Sequence, residues 1–366
     1  MRILQISSAS SFGGGERYMV DLCNSLSARG HEVFAALRPR SPLVNFLNLS
    51  AANIKTLPLR NALDAQSAHG LARFVKENQI DIVHAHMARD YSLAAYAARL
   101  KPRPKFFVTR HVLFQLNGIH RRTLAKANRV IAVSEAVARQ LKSQRIVPDE
   151  KIALVPNGID IERFTGGLER FDRAALLSSK QLPPDCLLVG SIGELRRLKR
   201  HDDLIRAASL IDRQIKNVHF VIAGVDTSAD GATQKELSDL VQSLNLKEQV
   251  HFVGWLDNAE HWLRAMDVFV SASETESFVL SIAEAMACGT AVVATRTAGA
   301  QEVVADKVSG LLVPIGDIDR LAEAVVTLLK DEKLRSSFGE RATQEAETRF
   351  SLDRMVNEIE KIYRES

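Results

Sequence analysis

The sequence divides at the stretch Leu154-Val155-Pro156-Asn157-Gly158-Ile159-Asp160, where Pro and Asn-Gly interrupt an apolar run. On each side of it, short runs rich in Val, Ile, Leu and Phe alternate with segments of helical periodicity. That alternation is typical of a parallel sheet covered by helices. Because the pattern occurs twice, we predict two doubly wound α/β domains that face each other across a cleft.

The predicted strands follow the apolar runs, and the last 50 residues have only helical periodicity. In open parallel sheets, ligands bind beyond the carboxyl ends of the strands, so unusual residues there are candidates for function. The predicted strands are residues 2–8, 31–37, 54–59, 81–86, 106–111 and 129–134 in the first half, and 187–193, 218–224, 250–255, 267–273, 291–295 and 310–313 in the second.

The composition is that of a globular protein, with 366 residues, 46% hydrophobic and 25% charged. This excludes a low-complexity disordered chain, and no apolar run is long enough to predict a membrane span. The N-terminus turns polar within a few residues, unlike a secretory signal, so we expect a cytoplasmic protein.

The charge is distributed unevenly between the two halves. Residues 1–165 contain 24 Lys and Arg against 12 Asp and Glu, whereas residues 166–366 contain 24 against 32. Nucleic acid, an anionic membrane surface or an acidic small substrate could each account for the basic half. No recognition helix, zinc finger or basic stretch interleaved with aromatics is present, so we do not expect nucleic acid as the partner.

A glycine-rich loop follows the first predicted strand, with Gly13, Gly14, Gly15 and Glu16 before a helix predicted over residues 17–28. Consecutive glycines permit positive φ and let backbone N–H groups approach an oxyanion or a sugar. The loop is neither G-x-G-x-x-G nor a P-loop. By itself, the glycine-rich loop is equally consistent with ligand binding and with a plain flexible turn.

A second candidate segment, residues 273–289, contains two carboxylates eight residues apart, Glu276 and Glu284. With a helix starting near Phe278, the two would be separated by roughly 12 Å of helical rise. That distance is too long for a glycosidase carboxylate pair, but it is comparable to the reach from a transferred sugar to a nucleotide ribose. The N–H groups near the helix start would meet a diphosphate.

A basic cluster, Arg196-Arg197-Leu198-Lys199-Arg200, follows the first strand of the second half. Its cations suit a leaving phosphate, and a solvated helix start is the alternative reading.

Two short motifs contain residue types that bind metals, but neither predicts a metal site. His84-x-His86 lacks a further ligand at a suitable spacing, and Asp317-x-Asp319 opens a helix, where Asp317 is predicted to act as an N-cap. We therefore expect no metal. His111, at another strand end, could contact a substrate or be structural.

Taken together, these segments resemble a family 4 retaining glycosyltransferase of the GT-B architecture, which has two Rossmann-like domains. The resemblance covers nearly the whole chain and implies that residues 1–165 bind the acceptor, with the C-terminal helix 350–366 packing back on them, while residues 166–349 bind a nucleotide-sugar donor. It is carried by Gly-Gly-Gly-Glu (13–16), Arg-Gly-His-Glu-Val (29–33), Asp-Ile-Val-His-Ala-His (81–86), Val-Pro-Asn-Gly-Ile-Asp (155–160) and Glu-x7-Glu-Ala-Met-Ala-Cys-Gly (276–289).

The resemblance also implies roles for individual residues. Glu276 and His111 would contact the donor sugar, Lys199 would neutralise the diphosphate, and Glu284 would hydrogen-bond the ribose. The other donor-binding residues that it implies are Gly14, Gly15, Gly193, Trp255, Leu256, Val279, Leu280 and Ser281.

One position departs from the family pattern. Where the family usually has Gly-Arg-Leu, this chain has Gly193-Glu194-Leu195, so a glutamate replaces an expected phosphate-binding arginine. We predict that Arg196 takes over that contact.

The resemblance implies retaining, metal-independent transfer of a hexose-type sugar, without a cofactor, from a UDP- or GDP-linked donor. The acceptor would be a glycan or a lipid-linked molecule in the synthesis of cell-envelope polysaccharide or lipopolysaccharide. Basic residues beside apolar ones, at residues 99–107 and 119–122, suit peripheral attachment to an anionic membrane. A sugar-nucleotide 2-epimerase of the same fold is the alternative function.

Overall fold

The structure is a computed structural model that describes residues 1–99, 103–166 and 171–366. It divides into two compact units, Met1–Gly158 with Leu352–Ser366, and Ile159–Ser351. Residues 159–165, which the sequence analysis placed in the first domain, thus belong to the second unit.

The first unit is built on a parallel sheet whose strands are nearly continuous apolar runs, as expected where both faces are covered by helices. Its strands are β1 (Arg2–Ser7), β2 (Glu32–Leu37), β3 (Ile54–Thr56), β4 (Ile82–Ala85), β5 (Lys105–Arg110), β6 (Arg129–Ala132) and β7 (Ile152–Leu154). In the described residues they form the order β3-β2-β1-β4-β5-β6-β7.

The helices of the first unit connect these strands, and the last helix of the chain returns to the same unit. They are α1 (Gly14–Ala28), α2 (Ala65–Glu77), α3 (Tyr91–Ala97), α4 (Gly118–Leu124), α5 (Glu135–Ser143) and α15 (Leu352–Glu365). Helix α15 buries Met355, Val356, Ile359 and Tyr363.

The second unit repeats the design with a parallel sheet of order β10-β9-β8-β11-β12-β13 in the described residues. Its strands are β8 (Leu187–Ile192), β9 (Val218–Ala223), β10 (Val250–Gly254), β11 (Val268–Ser271), β12 (Ala291–Thr295) and β13 (Gly310–Val313). Its core includes Val189, Phe220, Ile222, Val268, Val270 and Val293, each at most 1% exposed.

The helices of the second unit pack on both sides of that sheet. They are α6 (Ile161–Thr165), α7 (Arg173–Ser178), α8 (His201–Asp212), α9 (Ala232–Ser243), α10 (Ala259–Ala265), α11 (Leu280–Ala287), α12 (Ala298–Val303), α13 (Ile318–Lys330) and α14 (Glu332–Arg349). Asp317 caps α13, as predicted, because its Oδ1 accepts a hydrogen bond from the Arg320 N–H at 3.0 Å. No helix in the described parts of the chain is both long and apolar enough to cross a bilayer.

Each sheet has one point at which the chain changes direction across it. In the first unit this point lies between β1 and β4, and in the second between β8 and β11. The connections leave the two neighbouring strand ends in opposite directions, which opens a crevice there. The connections that follow β8 and β11 carry Gly193, Arg196, Lys199 and Glu276.

Two local predictions were wrong. Helix α1 begins at Gly14, three residues earlier than expected, and none of the three loop glycines has a positive φ. The short edge strand β7 was not predicted, and its last residue, Leu154, was assigned to the linker. Three residues with no long apolar run are too short for periodicity to reveal.

A close backbone contact holds the strand ends of the second unit together. Gly224 has φ of +152°, and a Cβ there would lie 1.8 Å from the carbonyl oxygen of Gly193. Only glycine fits this position, since both the backbone conformation and the space exclude a side chain. The contact fixes the path of the loop that follows β8.

We expect Gly224→Ala to destabilise the second unit by about 2–4 kcal/mol, because it combines a steric clash with a strained φ. Gly231→Ala is the matched control, because Gly231 also has a positive φ, +68°, but has no atom within 4 Å of its Cβ position. The control should cost about 1 kcal/mol. Urea unfolding followed by tryptophan fluorescence measures both, since Trp255 and Trp262 lie in the second unit. Equal costs would refute the contact argument.

Candidate active site

The centre of the candidate site is an ion pair between the ends of β8 and β11. Lys199 ends a 3-10 helix, Arg197–Lys199, that follows β8, and Glu276 lies in the loop after β11. The Lys199 Nζ is 2.6 Å from Glu276 Oε1. The Ser273 Oγ donates a second hydrogen bond to the same oxygen at 2.7 Å. Two residues that the sequence analysis assigned separate roles are therefore in direct contact.

The ion pair is largely shielded from solvent, with the Lys199 side chain 25% exposed and that of Glu276 14% exposed. The lysine side chain lies over Gly193, where a Cβ would be 3.3 Å from its Cε. An ammonium in a partly buried position needs a counter-charge, and here the carboxylate supplies it. The pair keeps a cation in place at the end of the strand.

Backbone hydrogen bonds tie the surrounding loops to one another. The Glu274 N–H donates to the Leu198 carbonyl at 2.9 Å, and the Gly299 N–H donates to the Glu276 carbonyl at 2.9 Å. A Cβ at Gly299 would lie 2.9 Å from the Phe278 nitrogen, so this approach also requires glycine. The position of the Glu276 backbone is thereby fixed from two sides.

Helix α11 starts later than predicted, at Leu280, with Val279 as its N-cap residue. Glu276 lies outside the helix, as predicted, but in an irregular loop, so the separation of roughly 12 Å by helical rise does not apply to it. By helix geometry, the N–H groups of Leu280 and Ser281 have no intrahelical acceptor and favour an anion. Glu284 lies in the second turn and is half-buried.

Glu194 and Arg196 form an ion pair of their own, with Arg196 Nη1 3.0 Å from Glu194 Oε2. The Arg196 side chain is 45% exposed and that of Glu194 21%. Arg196 was predicted to take the place of the arginine that the family usually has at position 194. Its guanidinium is instead paired with Glu194, the residue that occupies that position. Arg197, 84% exposed, is paired instead with Glu236 at 3.2 Å.

His201 belongs to the same cluster and was not singled out from the sequence. It is the first residue of α8, and its Nε2 lies 3.3 Å from the Glu194 carbonyl oxygen. Burial, reinforced by the positive charge of Lys199, lowers the pKa of His201 to about 4. The ring is therefore neutral at physiological pH and adds no charge to the site.

Trp255 and Leu256 lie at the end of β10, two strands from β8 in the sheet order. Trp255 is 49% exposed, and its indole N–H donates to Asp257 Oδ1 at 3.1 Å. The Gly224 N–H donates to the Gly254 carbonyl at 2.8 Å, which joins the ends of β9 and β10. The base-binding role that the resemblance implies for this segment stays a prediction.

In the first unit, the structure brings the glycine loop and His111 together. A Cβ on Gly15 would lie 3.4 Å from the His111 Cγ, so the imidazole packs against the first turn of α1. The His111 Nε2 lies 3.3 Å from His86 Nδ1, and the Tyr18 ring makes an edge contact at 4.8 Å. Burial lowers the pKa of His111 to about 3, so this ring is also neutral.

The histidines of the His-x-His segment point into the core. His84 is 0% exposed and His86 5% exposed. Among the described residues, no group of three or more His, Cys, Asp or Glu side chains could hold a metal ion.

Two family profiles together match most of the chain. The profile described as Glycosyltransferase Family 4 matches residues 12–163, and the profile described as Glycosyl transferases group 1 matches residues 172–345. The chain belongs to glycosyltransferase family 4. It is a glycosyltransferase, and the predicted two-domain GT-B fold is confirmed.

Two curated relatives illustrate this membership. The N-acetyl-alpha-D-glucosaminyl L-malate synthase of Bacillus anthracis is 27% identical over 370 residues, covering 96% of this chain and 94% of the relative. The D-inositol 3-phosphate glycosyltransferase of Saccharomonospora viridis is 31% identical over 295 residues, covering 78% of this chain but only 65% of the relative.

Among solved structures, Anabaena HepE in complex with UDP and glucose shares the fold over the full length of both chains, with a TM-score of 0.88 and 21% identity. The glycosyltransferase described here therefore shares its fold with HepE. The roles of its individual site residues remain predictions.

Proposed function

We propose that this glycosyltransferase transfers a hexose-type sugar, with retention of anomeric configuration, from a UDP-linked donor to a glycan or lipid-linked acceptor in cell-envelope polysaccharide or lipopolysaccharide synthesis. The observation that carries the proposal is the Lys199–Glu276 ion pair beside Gly193, at the crevice between β8 and β11. It combines a cation for a diphosphate with a carboxylate for sugar hydroxyls.

The difficult step in such a reaction is departure of the nucleoside diphosphate, because negative charge builds up on its β-phosphate. Fixed cations and backbone N–H groups stabilise such charge, at a few kcal/mol of barrier each. Lys199 and the N-terminus of α11 are two groups of this kind in the second unit. When a donor binds, the Lys199 ammonium can exchange part of its contact with Glu276 for a phosphate oxygen.

The same arrangement suits the sugar and ribose hydroxyls. Glu276 Oε1 already accepts from Lys199 and Ser273, which leaves Oε2 for a hydroxyl of the donor sugar. Glu284, in the second turn of α11, is the proposed partner of the ribose. UDP rather than GDP is proposed because the structurally similar HepE was solved with UDP and with UDP-glucose.

Retention is proposed to proceed by attack of the acceptor on the face that the diphosphate leaves, without a covalent intermediate on the protein. No protein nucleophile is assigned to this step, because Glu276 is the proposed partner of a hydroxyl of the donor sugar. A trapped glycosyl-enzyme adduct would contradict this mechanism.

The decisive test is binding of UDP, GDP and ADP measured by isothermal titration calorimetry. We expect UDP to bind and Glu284→Ala to weaken it about 10- to 100-fold, the loss typical of a hydrogen bond to a charged group. Glu323→Ala is the control, since Glu323 lies on the exposed face of α13. Absence of nucleotide binding would refute the function, and a product formed from UDP-sugar without acceptor would indicate an epimerase.

A second test concerns the glutamate that departs from the family pattern. We expect Glu194→Gln to tighten UDP binding about fivefold, because it releases the Arg196 guanidinium from a pair worth about 1 kcal/mol. Glu236→Gln, which releases the outlying Arg197, is the matched control and should leave the affinity unchanged. Weaker or unchanged binding in Glu194→Gln would show that Arg196 does not serve the phosphates.

For the acceptor, we propose that the first unit attaches to an anionic membrane surface. Val112, Phe114 and Ile119 are exposed by 39%, 63% and 51%, and Arg121 and Arg122 beside them are exposed. Apolar side chains next to cations suit the interface of an anionic leaflet.

The other basic segment predicted from the sequence, residues 99–107, does not fit this surface. Phe106 and Phe107 are 3% and 0% exposed on β5, so their predicted part in membrane contact was wrong. Residues 100–102 of that segment lie outside the described residues.

We expect Phe114→Ser with Ile119→Ser to abolish pelleting with phosphatidylglycerol vesicles. Leu63→Ser is the control, since Leu63 is 80% exposed in the same unit but lies elsewhere in the chain. Equal pelleting of the wild type with phosphatidylcholine vesicles would refute an anionic surface as the partner.

A further inference from the structure

A chain of polar side chains, most of them buried, crosses the first unit. Five of its six members are almost completely buried in a largely apolar core, and His111 is half-buried. Burying that many polar groups is costly unless each is hydrogen-bonded, so the arrangement calls for an explanation. In order along the chain of contacts they are His111, His86, Gln5, Tyr363, His84 and Thr109.

Strand pairing brings these groups together. Gln5 on β1 is paired in register with His84 on β4, and β5 is the next strand. Side chains two residues apart point to the same face of a strand, which places His86 beside His84 and His111 beside Thr109. Helix α15 adds Tyr363 from the other end of the sequence.

The contacts form a continuous series of hydrogen-bonding distances. His111 Nε2 is 3.3 Å from His86 Nδ1, and His86 Nε2 is 2.7 Å from Gln5 Oε1. The Gln5 amide nitrogen donates to Tyr363 Oη at 3.3 Å. His84 Nδ1 is 2.6 Å from the same Tyr363 oxygen, and its Nε2 is 2.8 Å from Thr109 Oγ1.

The Gln5 side chain gives the series its direction. Its nitrogen faces Tyr363, so its oxygen faces His86, and an amide oxygen can only accept. His86 therefore carries its proton on Nε2. Burial and the neighbouring histidines hold the pKa of His86 well below its usual value, so the ring is neutral and Nδ1 is an acceptor.

The same assignment of donors and acceptors determines the proton positions at both ends of the series. His86 Nδ1 accepts, so His111 Nε2 must carry the proton in the contact between them. At the other end, burial keeps Tyr363 protonated by raising its pKa, and its hydroxyl donates to His84 Nδ1. His84 then donates through Nε2 to Thr109. Every group in the series donates to the next.

We propose that His86, Gln5 and Tyr363 are positioning residues that hold His111 in the Nε2–H form and in one ring orientation, so that its Nδ1 acts as a hydrogen-bond acceptor. This inference rests on the proposed function in one respect, namely that a substrate of this glycosyltransferase presents a sugar hydroxyl to His111. An acceptor nitrogen suits a sugar hydroxyl, whereas a proton donor would be needed for general-acid catalysis. His111 thus orients a substrate and does not protonate it.

The experiment is histidine side-chain NMR on the full-length protein labelled with ¹⁵N-histidine, with His111 assigned from the signal missing in His111→Gln. Ring nitrogen shifts and two-bond couplings distinguish the two neutral tautomers. We expect a single Nε2–H form for His111 in the wild type. A predominant Nδ1–H form, or a positively charged ring at pH 7, would overturn the proposal.

Two substitutions of His86 separate positioning from mere packing. The Asn side chain places its amide near the position of a histidine Nδ1, and the Gln side chain near that of Nε2. His86→Asn can therefore still accept from His111 and should keep its single tautomer, whereas His86→Gln keeps the Gln5 contact and should give a mixture. If the two variants behave alike at His111, His86 is structural only.

Tyr363→Phe provides a variant that keeps the ring packing against Phe107, at 4.9 Å between centroids. Gln5 loses the acceptor that fixes its amide orientation, so we expect both tautomers at His111, three contacts away. An unchanged His111 spectrum would overturn the role of Tyr363.

UDP titration of the same samples separates this inference from the proposed function. The His86 variants should bind UDP as the wild type does, because the proposed nucleotide-binding residues lie in the second unit. If wild-type protein binds no UDP, the proposed function is refuted. The tautomer of His111 is measured separately and does not depend on that result. Loss of UDP binding only in the His86 variants would show a general disturbance and refute a positioning role.

Discussion

Both halves of this glycosyltransferase depend on one constraint, the parallel pairing of strands that are distant in sequence at the point where each sheet changes direction. In the second unit, β8 pairs in parallel with β11, so the carboxyl ends of the two strands are neighbours. Lys199 and Glu276, 77 residues apart, meet there at 2.6 Å. Without that pairing, the cation and the carboxylate would be unrelated side chains.

The electrostatics of the donor side follow from the same juxtaposition. A cation kept for an anionic ligand must be stabilised while the ligand is absent, and a carboxylate neighbour achieves this without removing it from the site. Glu276 does so for Lys199, and Glu194 does so for Arg196. In the proposed function, the glutamate at position 194 acts on phosphate binding through the charge of Arg196.

The first unit uses buried hydrogen bonds where the second uses ion pairs. His84 and His86 are neutral because burial opposes their charge, and neutral imidazoles can link a series of donors and acceptors across strands. The return of α15 is part of this design, since Tyr363 supplies a hydroxyl that no strand residue provides. Packing of the last helix and the state of His111 are thus physically linked.

The sequence by itself determined the repeated α/β alternation, the family, and the positions of most strands and helices, because these depend on local periodicity and motifs. The predicted first residues of α1 and α11 were wrong, because backbone geometry and not residue type determines where the preceding loops end. Only the tertiary structure decided that Lys199 is paired with Glu276, that Glu194 holds Arg196, and that the histidines form one hydrogen-bonded series. Most of these contacts join residues far apart in the chain, and they depend on strand order and rotamers, which local periodicity does not specify.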